Sequence, residues 1–70
     1  MINLDQAATI AKDFLNRTCG YLLYELQEID LTNDRWVVTY KSMPFIGTPT
    51  LYKIEVDREN GEVLSFKRGS

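Results

Sequence analysis

Residues Tyr52 to Phe66, YKIEVDRENGEVLSF, decide the fold. Tyr52, Ile54 and Val56 alternate with Lys53, Glu55 and Asp57, and Arg58, Glu59, Asn60 and Gly61 then interrupt before Val63, Leu64 and Phe66. Successive side chains of a strand point to opposite faces, so this alternation sets one group against a core and the other in water. Asn60 and Gly61 offer the positive φ of a tight reversal, because glycine has no Cβ and asparagine tolerates the left-handed region. The stretch reads as a β-hairpin.

Immediately upstream, Arg35 to Ser42 is rich in β-formers, with Trp36, Val38 and Tyr40 on one face and Val37, Thr39 and Lys41 on the other. Trp36, the largest apolar side chain, is expected at the centre of the core. Thr32, Asn33 and Asp34 precede this strand and carry turn chemistry, since short polar side chains bond nearby backbone and accept unusual dihedrals. Between Tyr21 and Leu31 the apolar phase runs Leu22, Tyr24, Leu26 and then slips to Ile29 and Leu31, as a bulge near Gln27 and Glu28 would produce. A second hairpin follows from these signals.

The N-terminal segment has a different period. Leu4, Ala7, Ala8, Ala11, Phe14 and Leu15 fall on one helical stripe, while Asp5, Thr9, Lys12, Asp13, Asn16 and Arg17 lie largely opposite. Asn3 is placed to cap this helix, with Gln6 reaching back in a variant of the capping box, and the helix is expected to run to about Thr18. Gly20 suits the left-handed position beyond its end. Three alanines on the stripe imply a close approach to whatever the helix covers. The single cysteine, Cys19, cannot form an internal disulfide; at a helix C-terminus it is expected to be a small buried hydrophobe, because the dipole there disfavours a thiolate.

Residues Met43 to Thr50 join the second and third strands and contain Pro44 and Pro49, which forbid regular ladder pairing. The predicted architecture is α+β: one N-terminal helix packed on one face of a four-stranded antiparallel meander sheet, a single domain spanning residues 1–70.

Composition narrows the function. The 70 residues are 44% hydrophobic and 26% charged, a globular balance in a chain too short for a second module. Eight basic against ten acidic residues, a net charge of -2, provide no broad positive field for a phosphate backbone, so nucleic acid is not expected as a partner. No apolar run approaches the roughly 20 residues of a membrane span, and no secretory signal pattern opens the chain. The expected location is the cytoplasm, or outside the cell if a signal segment has been removed.

The chain contains no histidine, so neither a histidine-based triad nor a histidine-ligated zinc centre can be assembled. Asp57, Glu59 and Glu62 cluster at the last turn, yet a solvated turn gives little desolvation with which to tune an acid and a base. With Asn60 they also offer oxygens to calcium, but without the ligand spacing of an EF-hand, and Asp30, Asn33 and Asp34 fare no better. Gly20, Gly47, Gly61 and Gly69 are scattered and form no phosphate-binding loop. No catalytic residue, metal ligand or cofactor is implied, and the expectation is a protein that is not an enzyme.

Binding surfaces remain. One helix covers one face, so the opposite face, with Leu23, Val37, Thr39 and Val63 among Lys41, Lys53, Glu55 and Lys67, either receives a protein or peptide, supports a homodimer, or is simply solvated. Met43, Phe45 and Ile46 form a greasy loop that is either a contact patch or, as expected for a cluster of that size, folded back over the end of the core. An unpaired strand edge is the third candidate, with Lys and Arg along the strands guarding against indiscriminate pairing.

The order of Ala8, Ile10, Ala11, Phe14 and Leu15, then Trp36, Val37 and Val38, then Tyr52, Ile54, Val56, Asp57, Gly61, Glu62 and Val63 resembles a PepSY domain over nearly the whole chain. The resemblance implies a helix on an antiparallel sheet and a role in binding or inhibiting peptidases, as in the propeptides of secreted metallopeptidases. The helix, the tryptophan strand and the Val56, Asp57, Arg58 and Gly61 turn are also similar to small bacterial immunity proteins, which implies neutralisation of a toxin. Both resemblances imply stoichiometric binding of a protein rather than turnover.

Overall fold

Helix α1 (Leu4–Cys19) is followed by strands β1 (Leu23–Thr32), β2 (Arg35–Met43), β3 (Leu51–Asp57) and β4 (Val63–Gly69) in a computed structural model that describes residues 1–20 and 23–69. The strands form one antiparallel sheet in the order β1-β2-β3-β4, the meander that the hairpin signals predict. Leu22, expected to point inward ahead of Tyr24, lies outside the described residues.

Asn3 caps α1 as its sequence demands. Its Oδ1 accepts from the Gln6 amide at 2.8 Å and its own amide donates to Gln6 Oε1 at 2.9 Å, a reciprocal pair that satisfies two otherwise orphaned donors. Ala7, Ala11 and Leu15 are fully buried against the sheet, and two of the three have no side chain beyond Cβ. That brings the helix backbone close enough for the Tyr40 hydroxyl to donate to the Ala8 carbonyl at 3.0 Å. Leu4, placed on the buried stripe by its spacing, is instead exposed in the first turn; Ile2 and Ile10 close that end of the core in its place. Cys19 is half-buried rather than buried and packs at the core margin. Gly20 has the positive φ expected of it, 94°, but with ψ 172°, so the chain leaves the helix through the extended glycine-only region rather than a left-handed cap.

Leu15, Val38, Ile54 and Val56 are the largest fully buried side chains. Trp36 is not among them. It stands opposite Val56 in the ladder and packs half-buried at the margin, its indole Nε1 donating to the Ile2 carbonyl at 3.3 Å. An indole carries an N–H that must find a partner when covered, and the chain end supplies one where the closed centre of the sheet would not. At the other end of the helix, Phe66 meets Phe14 edge-on at 5.4 Å and stacks on Tyr52 at 5.7 Å, while Tyr24 lies edge-on to Tyr40 and Tyr52.

The first hairpin turn takes the unusual dihedrals that its residues are expected to tolerate, and the last turn departs from its reading at Asn60. Asn33 and Asp34 carry φ of 51° and 59° between the paired Thr32 and Arg35, the backbone of a two-residue turn with both central residues left-handed. In the last turn only Gly61 has positive φ; Asn60 does not, contrary to its reading as half of a left-handed pair. The longer reversal instead uses side chains: Asp57 Oδ1 accepts from the Glu59 amide at 2.7 Å, and Asn60 Oδ1 accepts from the Glu62 amide at 2.8 Å.

Candidate functional site

Pairing fixes which residues share the face turned away from α1, because residues directly opposite in an antiparallel ladder point to the same side. Four rows cross that face: Glu25, Lys41, Leu51 and Gly69; Glu28, Thr39, Lys53 and Lys67; Asp30, Val37, Glu55 and Ser65; Thr32, Arg35 and Asp57. Leu23 and Met43 pair beyond the first row. Six of the residues singled out by sequence, Leu23, Val37, Thr39, Lys41, Met43 and Lys53, thus stand on one surface.

Val63 does not join them. Glu55 pairs with Ser65 and Val56 with Val63, so Leu64 is an unpaired bulge residue. Val63 is thereby turned under the helix, where it packs against the core, and Leu64 is exposed. On the other edge the bulge between Leu26 and Glu28 falls where the apolar phase slips. It carries Glu28 and Asp30 onto the open face beside Glu25, an acidic strip that pattern reading of apolar residues did not reveal.

The electrostatics of this face follow from its rows. Asp30 hydrogen-bonds and repels the Glu28 carboxylate, which with some desolvation raises the Glu28 pKa against a smaller opposing pull from Lys53. Arg35 Nη1 lies 2.6 Å from Glu55 Oε1, and that bond holds the Glu55 carboxyl below its ordinary value despite partial desolvation. Lys53 and Lys67 have no ion-pair partner among the described residues and stand near the β4 edge, opposite the acidic strip on β1. On the open face the ionisable groups of β1 are therefore all acidic, while β2 carries Lys41 and Arg35, β3 carries Lys53 with Glu55 and Asp57, and β4 carries Lys67.

The connection after β2 does not fold back over the core. Phe45 is 102% exposed and Ile46 89%, with Leu23 at 77% close by at the same end of the sheet. Pro44 and Pro49 interrupt pairing, and the chain from Phe45 to Gly47 makes a bend. Together with Met43, and with Leu51, the one residue here that sequence reading did not single out, these residues make an apolar end to the molecule. Leu51 could have been found from its place just before the alternating Tyr52 to Asp57 run, on the Lys53 and Glu55 side.

The carboxylate cluster at the last turn has a structural occupation. Asp57 Oδ1 is held by the Glu59 and Asn60 amides, and the Arg58 guanidinium lies 3.2 Å from Asp34 Oδ1, tying the two turns together. Among the described residues no three of Asp, Glu and Cys converge as metal ligands, and no helix is long and apolar enough to cross a membrane. No protein-family model, curated protein or solved structure matches the chain.

Proposed function

We propose that this chain is a non-enzymatic protein- or peptide-binding module that grips its partner with the Phe45 and Ile46 loop tip. The observation that supports this reading is the exposure of both side chains, 102% and 89%, next to Leu23 and Met43. A contiguous apolar patch keeps water ordered around it at a cost of about 25 cal/mol per Å², and burial against a partner recovers that free energy. Pro44 and Pro49 restrict the loop before it binds, so less chain entropy is lost on docking.

PepSY resemblance makes a peptidase the first expected partner, with inhibition or regulation as the outcome. Resemblance to immunity proteins makes a secreted toxin the second. Both use the surface in the same way, and the identity of the captured protein distinguishes them.

The test is affinity capture from the native cell, followed by mass spectrometry, with wild type and a Phe45→Ser, Ile46→Ser double variant side by side. The proposal expects a protein retained by wild type and lost from the variant at unchanged melting temperature. Equal retention by both, or retention of nothing by wild type, contradicts it.

A further inference from the structure

We infer that the open sheet face also takes a second copy of this chain, related by a two-fold axis parallel to the strands. Two sheets stacked face to face lie about 10 Å apart with their strands nearly aligned, and a two-fold between them must lie in the plane of the interface. Only two orientations are then distinct. An axis across the strands sets β1 on β1, and the carboxylates of Glu25, Glu28 and Asp30 meet their own copies. An axis along the strands sets β1 on β4 and β2 on β3, with every row facing itself reversed.

The second arrangement sets unlike charges opposite each other in two rows. Glu28 faces the other copy's Lys67, Thr39 faces Lys53, Asp30 faces Ser65, Val37 faces Glu55, and Arg35, already bonded to Glu55 of its own chain, faces Asp57. Glu25 faces Gly69, where the missing side chain leaves a depression of about 330 Å³ lined by Thr39, Leu51, Lys53, Lys67, Arg68 and Gly69. A carboxylate from above enters a hollow that Lys53 and Lys67 flank on the open face. No row sets like charges on each other. The same axis superposes the apolar end on its counterpart, so Leu51 lies over Lys41, whose methylene stem can pack on it. Charge and apolar placement thus select one symmetry independently, and the pair would carry both Phe45 loops at one end. The inference does not rest on those loops having a partner.

Charge exchange across the axis tests it. Within one chain Glu28 and Lys67 are three strands apart, about 14 Å, too far for a direct bond. Sedimentation of wild type from low to high micromolar concentration should show a reversible dimer. Glu28→Lys and Lys67→Glu should each weaken it by about tenfold or more, since each alters two symmetry-related contacts. The double variant restores opposite charge across the axis and should return to within about threefold of wild type. Both sites are exposed, and unchanged circular dichroism would show that the variants fold. A wild type that stays monomeric overturns the inference, as does a dimer indifferent to both single changes or one that the double variant fails to restore.

Discussion

Val56 stands directly opposite Val63, although Glu55 one residue earlier pairs with Ser65, so a single unpaired residue, Leu64, reverses which side of β4 faces the helix. The reversal brings Val63 against the core and releases Leu64 to solvent. Val63→Ala should therefore cost about 1 kcal/mol, as expected for trimming a half-buried aliphatic side chain, while Leu64→Ala should stay within about 0.5 kcal/mol of wild type. Urea denaturation measures both, and the opposite ranking would mean that β4 lacks the bulge.

Ile54, fully buried between Val38 and Phe66 in the ladder, outranks the tryptophan as the keystone of the core. Ile54→Ala should destabilise by about 2–5 kcal/mol. Trp36→Ala should cost less, because the indole is half-buried and its hydrogen bond to Ile2 is long. Thermal melts of the two variants compare them directly, and a larger loss at Trp36 would move the core centre to the other end of the sheet.

Gly61 combines a φ of 76° with close neighbours, since a Cβ there would meet Ile10 Cδ1 at 3.0 Å and Ile2 Cγ2 at 3.4 Å. Gly61→Ala should cost about 1–2 kcal/mol from the backbone alone. Ile10→Val in the same chain should recover part of any further loss by relieving the contact. Equal stability of Gly61→Ala and wild type would contradict this placement of the turn.

These particulars show what the sequence could and could not disclose. Strand and helix periodicities are local, so α1, the four strands, the meander and the bulge near Gln27 were all readable. The bulge at Leu64 was not, because Val63, Leu64 and Phe66 suit either register and only the ladder with β3 decides between them. Trp36 was misplaced for a related reason: size ranks burial, but the need of its N–H for a partner drew it to the chain end. For the candidate site, Leu23, Val37, Thr39, Lys41, Met43 and Lys53 were recoverable from alternation. The exposure of Phe45 and Ile46 was not, since apolar character alone cannot separate a loop that tucks in from one that projects.

Burial raises the Tyr40 pKa, and burial together with the charges of Cys19 and Tyr52 raises that of Tyr24. Above the ordinary tyrosine value of about 10, the unfolded chain loses these protons before the folded one does. Folded molecules then bind more protons, so stability is full below that value and declines as pH rises toward the folded-state values. Tyr40→Phe should flatten the decline and, by removing the bond to Ala8, cost about 1 kcal/mol at neutral pH. Chemical denaturation between pH 8 and 11 reads the slope, and an unchanged slope in Tyr40→Phe would exclude that hydroxyl as its source.

The claim on which the functional account depends is stoichiometric capture through the projecting end of the sheet. Titration calorimetry of the captured protein against wild type and against the Phe45→Ser, Ile46→Ser variant tests it most directly. Saturation at one partner molecule per chain, with about 30-fold or greater loss of affinity in the variant, is the predicted result, since two anchors of about 1 kcal/mol or more each are removed. Chemical conversion of the partner by a small fraction of an equivalent of this chain, or equal affinity for both proteins, would contradict it.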